Sequence, residues 1–175
     1  MYGDNLQKIK GHRRIVAIMV ANEPGMLARI SGLFMRRNFN IDGLTVGTST
    51  NPDVSRMTIS FFGDDRASEQ LEKQLHKIVN VIKVNDLPAH SIIREVALIK
   101  VNTKSKKEQD EIMEYCKAHD GKIANAEHDD MIIEVVGEPE KVDSFIRLMK
   151  HYGVKEIART GSTGMSRGSI GFEKD

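Results

Sequence analysis

The chain has 175 residues, 39% hydrophobic and 29% charged, enough for one ordinary domain or two small ones with real cores. Lys and Arg number 26 against 25 Asp and Glu, so no net field draws polyanions and nucleic-acid binding by bulk charge is not expected. One cysteine, Cys116, excludes an internal disulfide and fits a reducing compartment; with no apolar leader or bilayer-spanning run in sight, the expectation is a cytoplasmic protein with no membrane association.

Residues 1–13 are polar and unpatterned, as expected of a flexible arm. From Arg14 to Ala21 the run RIVAIMVA is almost continuously apolar, the pattern of a central strand covered on both faces. Asn22 to Leu27 (NEPGML) ends it. Glu-Pro-Gly is a turn signal, and a helical period starts behind it, so a helix is predicted from about Gly25. Leu27, Ile30, Ser31 and Phe34 share one face of that helix with Met26 and Leu33 beside them, and Asn38 is a left-handed stop. A strand follows over Ile41–Thr48, with Leu44 and Val46 alternating against Thr45 and Gly47. Residues 49–53 break the chain, and Ser55–Phe62 alternates cleanly, with Met57, Ile59 and Phe61 opposite Arg56, Thr58 and Ser60. A helix carrying Ala67, Leu71 and Leu75 and a strand over Ile78–Val84 complete the order βαββαβ.

Residues 87–94, around Pro88, read as a linker, and the order then repeats. Glu95–Val101 is a strand. Ser105 and Glu108 form a capping box before a helix whose Ile112, Tyr115, Cys116 and His119 share a face, stopped by Gly121. Ile123–Ala126 and Met131–Val136 make a hairpin around a polar turn, Pro139 opens a helix with the stripe Val142, Phe145, Ile146 and Met149, and Val154–Arg159 closes the unit. Two such units predict an α+β fold of two tandem ferredoxin-like (βαββαβ) sandwiches. In that topology the second strand of each unit is an edge. Ile41–Thr48 carries few charges, so pairing with its copy in a second chain is expected.

The NEPGML turn also predicts chemistry. Its helix N-terminus presents backbone N–H groups without intrahelical partners at the positive end of the macrodipole, which favours a small anion such as a carboxylate. Gly25 permits close approach of a ligand to the backbone. Asn22 offers an amide that accepts from an ammonium or donates to a carboxylate. The reading is a site for a free amino acid. The corresponding turn of the second unit, residues 102–107, has neither Gly nor Pro, and no equivalent site is expected there.

NEPGML between strand and helix, followed by FNIDGLTVG, SRMTISFFG and EQLEKQLHKIVNVIKV, resembles the regulatory (small) subunit of acetolactate synthase, or acetohydroxyacid synthase, whose N-terminal unit is an ACT domain. The likeness runs from about Arg14 to Gly168, including Ala158-Arg159-Thr160-Gly161 and Met165-Ser166-Arg167-Gly168, similar to that family's C-terminal signature. It implies an ACT domain over residues 14–86 for effector binding and dimerisation, a C-terminal ferredoxin-like domain over 95–168, and a tail over 169–175. It further implies a chain that is not itself the catalyst. Such a chain binds the catalytic (large) subunit, raises its activity, and confers feedback inhibition by valine or a related branched-chain amino acid in valine, leucine and isoleucine biosynthesis. Thiamine diphosphate, magnesium and FAD would belong to the catalytic partner, with no cofactor in this chain. Carried over by position, the effector site uses Asn22, Gly25, Met26 and Leu27 of one protomer with Asn40 and Ile41 of the other, Leu27 and Ile41 seating the side chain. The alternative is a stand-alone ACT-type amino-acid sensor acting on another partner.

Other chemistries fit the residues less well. An RNA-recognition module shares the βαββαβ order, but RIVAIMVA has no stacking aromatic. The six histidines do not fall at metal-ligand spacing, and no metal site is expected. Gly161-Ser162-Thr163-Gly164 lacks the ending of a phosphate-binding loop; it reads as a flexible link, with contact of Arg159–Arg167 to the catalytic subunit as the functional alternative.

Overall fold

In the computed structural model the described residues are 11–168 and Phe172. The expected arm up to residue 10, and the expected tail apart from Phe172, lie outside them. The described residues divide into two compact units, 11–92 with 162–168 and Phe172, and 93–161.

The first unit runs β1 (His12–Ala21), α1 (Met26–Arg36), β2 (Ile41–Thr48), β3 (Val54–Gly63), α2 (Asp65–Leu75) and β4 (Val81–Asp86). Its antiparallel sheet has the order β2-β3-β1-β4, so β2 and β4 are the edges, as expected. Strand β1 begins at His12, inside the expected arm, because His12 to Phe-facing Arg14 already pair with Gly63 to Phe61 of β3. Val16, Ile18 and Val20 of β1 and Met57, Ile59 and Phe61 of β3 form one face, and the buried stripes of α1 and α2 pack on it. Phe34, Phe39 and Phe61 meet edge to face, with ring centroids 5.4 to 6.4 Å apart.

Two expectations shift. The stripe of α1 is Met26, Ile30, Leu33 and Phe34, whereas Leu27 is 44% exposed; a rotation of one residue moves it off the sheet. Strand β4 starts at Val81 instead of Ile78, because the chain is still turning there. Asn80 sits at φ 72°, and the Val81 N–H donates to Ile78 O at 3.1 Å.

The second unit runs β5 (Ile92–Asn102), α3 (Lys106–Ala118), β6 (Lys122–Ala126), β7 (Asp130–Gly137), α4 (Pro139–Met149), a single 3-10 turn at Lys150–Tyr152, and β8 (Val154–Arg159). Its strands lie in the order β6-β7-β5-β8 around a separate core that includes Ile99, Ile112, Cys116, Ile133 and Phe145. Ser105 caps α3, its Oγ accepting from Glu108 N at 3.3 Å, but the Glu108 carboxylate accepts from Lys104 N at 2.7 Å and not from Ser105 itself. The left-handed residue after α3 is Asp120, at φ 52°. Gly121 is needed for close approach, since a Cβ there would stand 3.0 Å from Cys116 Sγ and 3.1 Å from Val135.

After β8 the chain returns to the first unit, which the sequence reading had left at residue 86. Thr45 Oγ1 donates to Ser162 O at 3.3 Å, the Arg56 guanidinium donates to Gly164 O at 2.7 Å, and Arg167 Nε donates to His90 O at 2.9 Å. Thr163–Met165 forms a short strand, β9. The expected flexible link at Gly161–Gly164 is therefore a packed return, with Ser162 1% exposed. Among the described residues no helix is long and apolar enough to cross a membrane.

Candidate functional site: the α1 turn and the edge strand β2

The turn after β1 is held from three sides. Asn22 N donates to Asp53 O at 2.7 Å, its Nδ2 donates to Pro52 O at 2.9 Å, and its Oδ1 accepts from Ser55 Oγ at 3.0 Å. Asn22 therefore ties the turn to the β2–β3 loop, with one amide hydrogen and one lone pair left over. Glu23 accepts from Asn80 Nδ2 at 2.7 Å, fixing the other flank. Gly25 occupies the left-handed region at φ 89°, with no atom within 4 Å of where a Cβ would stand.

Helix α1 opens without a cap. Gly25 supplies no side chain, and the first turn has no acidic residue. Arg29 N reaches Gly25 O at 3.1 Å, while the N–H groups of Leu27 and Ala28 have no acceptor among the described residues. Two donors and the positive end of the macrodipole thus face open space behind Gly25. The corresponding helix of the second unit has Ser105 on its first turn. Met26, expected at the site, is 2% exposed and belongs to the core, and its backbone N–H already donates to Glu23 O at 3.5 Å. Leu27, half exposed on the flank, offers apolar surface beside the two donors.

Asn40 and Ile41 lie beyond the other end of α1. Eleven residues of helix separate the two groups, roughly 16 Å at about 1.5 Å per residue. One protomer therefore does not bring them together. Ile41 packs partly against the core, and Asn40 is exposed. With Met35 and Phe39 they line a shallow hollow of about 440 Å³.

A polar cluster that the sequence reading did not find adjoins this end. Asp42 Oδ2 lies 2.8 Å from the Arg13 guanidinium and accepts from Ser60 Oγ at 3.2 Å. Its sequence signal was present: Ile41 and Leu44 are both apolar, three residues apart in a strand whose period is two. In the second unit Arg159 forms an ion pair with the buried Glu95 and lies 2.7 Å from Asp143, an arrangement spacing alone does not reveal.

Tandem βαββαβ units, the first with a glycine turn opening onto an uncapped helix beside an edge strand paired on one side only, have the architecture of the ACT class. Known proteins then fix the family. The AHAS small subunit-like ACT domain matches residues 16–83, and the family described as small subunit of acetolactate synthase matches residues 94–168. A probable acetolactate synthase small subunit of Methanothermobacter thermautotrophicus is 47% identical, covering 89% of this chain and 93% of its own length. The acetolactate synthase small subunit of Aquifex aeolicus is 40% identical, over 93% of this chain and 85% of that protein. The crystal structure of the small subunit from Thermotoga maritima superposes with a TM-score of 0.83 at 39% identity, over 91% of this chain and 99% of that one. The chain belongs to the acetolactate synthase small-subunit family. It is a regulatory subunit whose partner is the catalytic subunit, and not the catalyst.

Proposed function

We propose that this chain binds a branched-chain amino acid, with valine the first choice, between the ACT domains of two protomers. Through that site it imposes feedback inhibition on the catalytic subunit, whose activity it otherwise raises. The observation that carries the reading is the uncapped start of α1, where Leu27 and Ala28 N–H groups stand free behind Gly25. They receive the carboxylate; the spare capacity of Asn22, with Asn40 of the other protomer, receives the ammonium.

Strand direction supports the composite site. The start of β2 lies at the C-terminal end of α1, and its end leads into the loop whose Asp53 carbonyl accepts from Asn22 N. A two-fold pairing of β2 with its copy is antiparallel and isologous, so the start of one strand meets the end of the other. Asn40 and Ile41 of one protomer then stand at the Asn22 and Gly25 turn of its partner. Leu27 and Ile41 seat the side chain, and burying an isopropyl group contributes roughly 1.5 to 3 kcal/mol. One methylene more or less is worth about 1 to 3 kcal/mol, which sets the scale of discrimination among valine, leucine and isoleucine. Inhibition follows if the effector binds the inhibited assembly more tightly than the active one. Within this reading the protein works in the cytoplasm, and thiamine diphosphate, magnesium and FAD are held by the catalytic subunit.

The test is calorimetric titration of the purified chain with L-valine, L-leucine and L-isoleucine, and of an Asn40→Ala chain. Saturable binding of one of them, lost in Asn40→Ala, is the expected result. A folded dimer that binds none of them, alone or with the catalytic subunit, overturns the reading.

A further inference from the structure

The start of β2 is irregular in a way that its sequence requires. Leu44 stands opposite Ile59 and faces the core, and Ile41 stands opposite Phe61 and faces the core too. In a regular strand residues two apart share a face, so an inward Leu44 would carry Asp42 into the apolar core and turn Ile41 out. The register instead shifts between Ile41 and Gly43. Asp42 is the extra residue of a β-bulge, a device that re-aims side chains and ends strand pairing.

The displaced carboxylate is not left to solvent. It crosses the face of the sheet opposite the helices to Arg13 on β1 at 2.8 Å and Ser60 on β3 at 3.2 Å, and Arg13 also reaches Ser60 Oγ at 3.5 Å. Ser60 is fully buried, so this latch spans three strands on a fixed footing. Asn40 and Ile41 immediately precede the bulge.

We propose that Asp42 is a positioning residue for the effector site: held by Arg13 and Ser60, it maintains the bulge and so aims Asn40 and Ile41 at the amino acid bound by the other protomer. The inference rests on the effector reading above. Asp42 itself touches no ligand. Its charge acts through the direction of its neighbours, and loss of the latch frees the start of an edge strand to slip.

The experiment compares the unsubstituted full chain with Asp42→Asn, Arg13→Gln, the double variant, and the charge swap Arg13→Asp with Asp42→Arg. Amino-acid affinity is read by calorimetry and amide hydrogen exchange is read over residues 40–44. Either single change weakens binding by about ten-fold with faster exchange confined to 40–44, while the double variant loses no more than the singles because both remove one interaction. The swap recovers binding, which separates positioning from misfolding. Equal affinity in all chains, or additive losses without a change in exchange, overturns the positioning role and leaves the effector reading standing. If the unsubstituted chain binds no amino acid, alone or with the catalytic subunit, the effector reading fails, and the positioning role with it.

Discussion

Gly25 shows how one residue serves shape and chemistry together. Its φ of 89° is unfavourable for any residue with a Cβ, yet no atom stands within 4 Å of that position, so Gly25→Ala carries a conformational cost and no clash. A loss of about 1 to 3 kcal/mol is expected in urea unfolding, accompanied by weaker amino-acid binding. Asn38, at φ 58°, ends α1 as its residue type suggested, with Phe39 N donating to Phe34 O at 2.9 Å. Met26 and Leu27 were harder to read, because both are apolar and the period of a helix does not say which neighbour meets the sheet until the sheet is in place. Cys116 is buried, and desolvation pushes its thiol up, away from the nucleophile's range. Tyr152 is pushed up to about 12 by burial first and then by its hydrogen bond to the Glu111 carboxylate. Its folded value exceeds the ordinary value of 10, so its stabilising contribution is whole below pH 10 and is lost as pH rises through 12. Tyr152→Phe should flatten that part of the stability profile, measured by denaturant titration at a series of alkaline pH values.

At the scale of elements, helices and central strands followed the apolar period closely, while edges and terminal pairings did not. Strand β8 is an edge, and its Arg159 reaches Glu95, which is 2% exposed. Arg159→Met leaves that carboxylate buried without a counter-charge, and a loss of about 3 kcal/mol is expected by urea unfolding, larger than for a surface pair. Restoring most of it with Glu95→Gln in the same chain would show that the cost lies in the stranded charge. Strand β2 is the opposite case, an edge with apolar surface left uncovered: Val46 is 50% exposed. Val46→Lys places a charge on the proposed pairing edge, and the expected outcome is a dimer-to-monomer shift by sedimentation, with the fold retained by circular dichroism. A dimer that survives Val46→Lys would move the interface away from β2.

For the molecule as a whole, two βαββαβ units were legible because each buries its own alternating strands under its own helices. Ile99, Ile112 and Phe145 close one core and Ile18, Ile30 and Phe61 the other. The path of the last residues was not legible. Thr163–Met165 is too short and too polar to announce a strand, and the side chains of Thr45 and Arg56, which donate to the carbonyls of Ser162 and Gly164, lie more than a hundred positions earlier in the chain. Assigning it to the second unit followed from sequence order; the stretch groups with the first, whose Thr45 and Arg56 side chains donate to its carbonyls.

Sequence by itself determined the unit order, the central and edge strands, the turn at Gly25 and the family, because each rests on local period, on residues with restricted φ, or on quoted motifs. Tertiary structure decided which of two adjacent apolar residues is core, as with Met26 and Leu27. It decided that Asn22 braces the β2–β3 loop, and that Asn40 and Ile41 lie a helix length from Gly25. It also decided that Asp42 leaves the strand face its position would assign it. These outcomes depend on partners distant in the chain: a carboxylate goes where a guanidinium and a hydroxyl can reach it, and only the assembled sheet brings Arg13, Asp42 and Ser60 to one place.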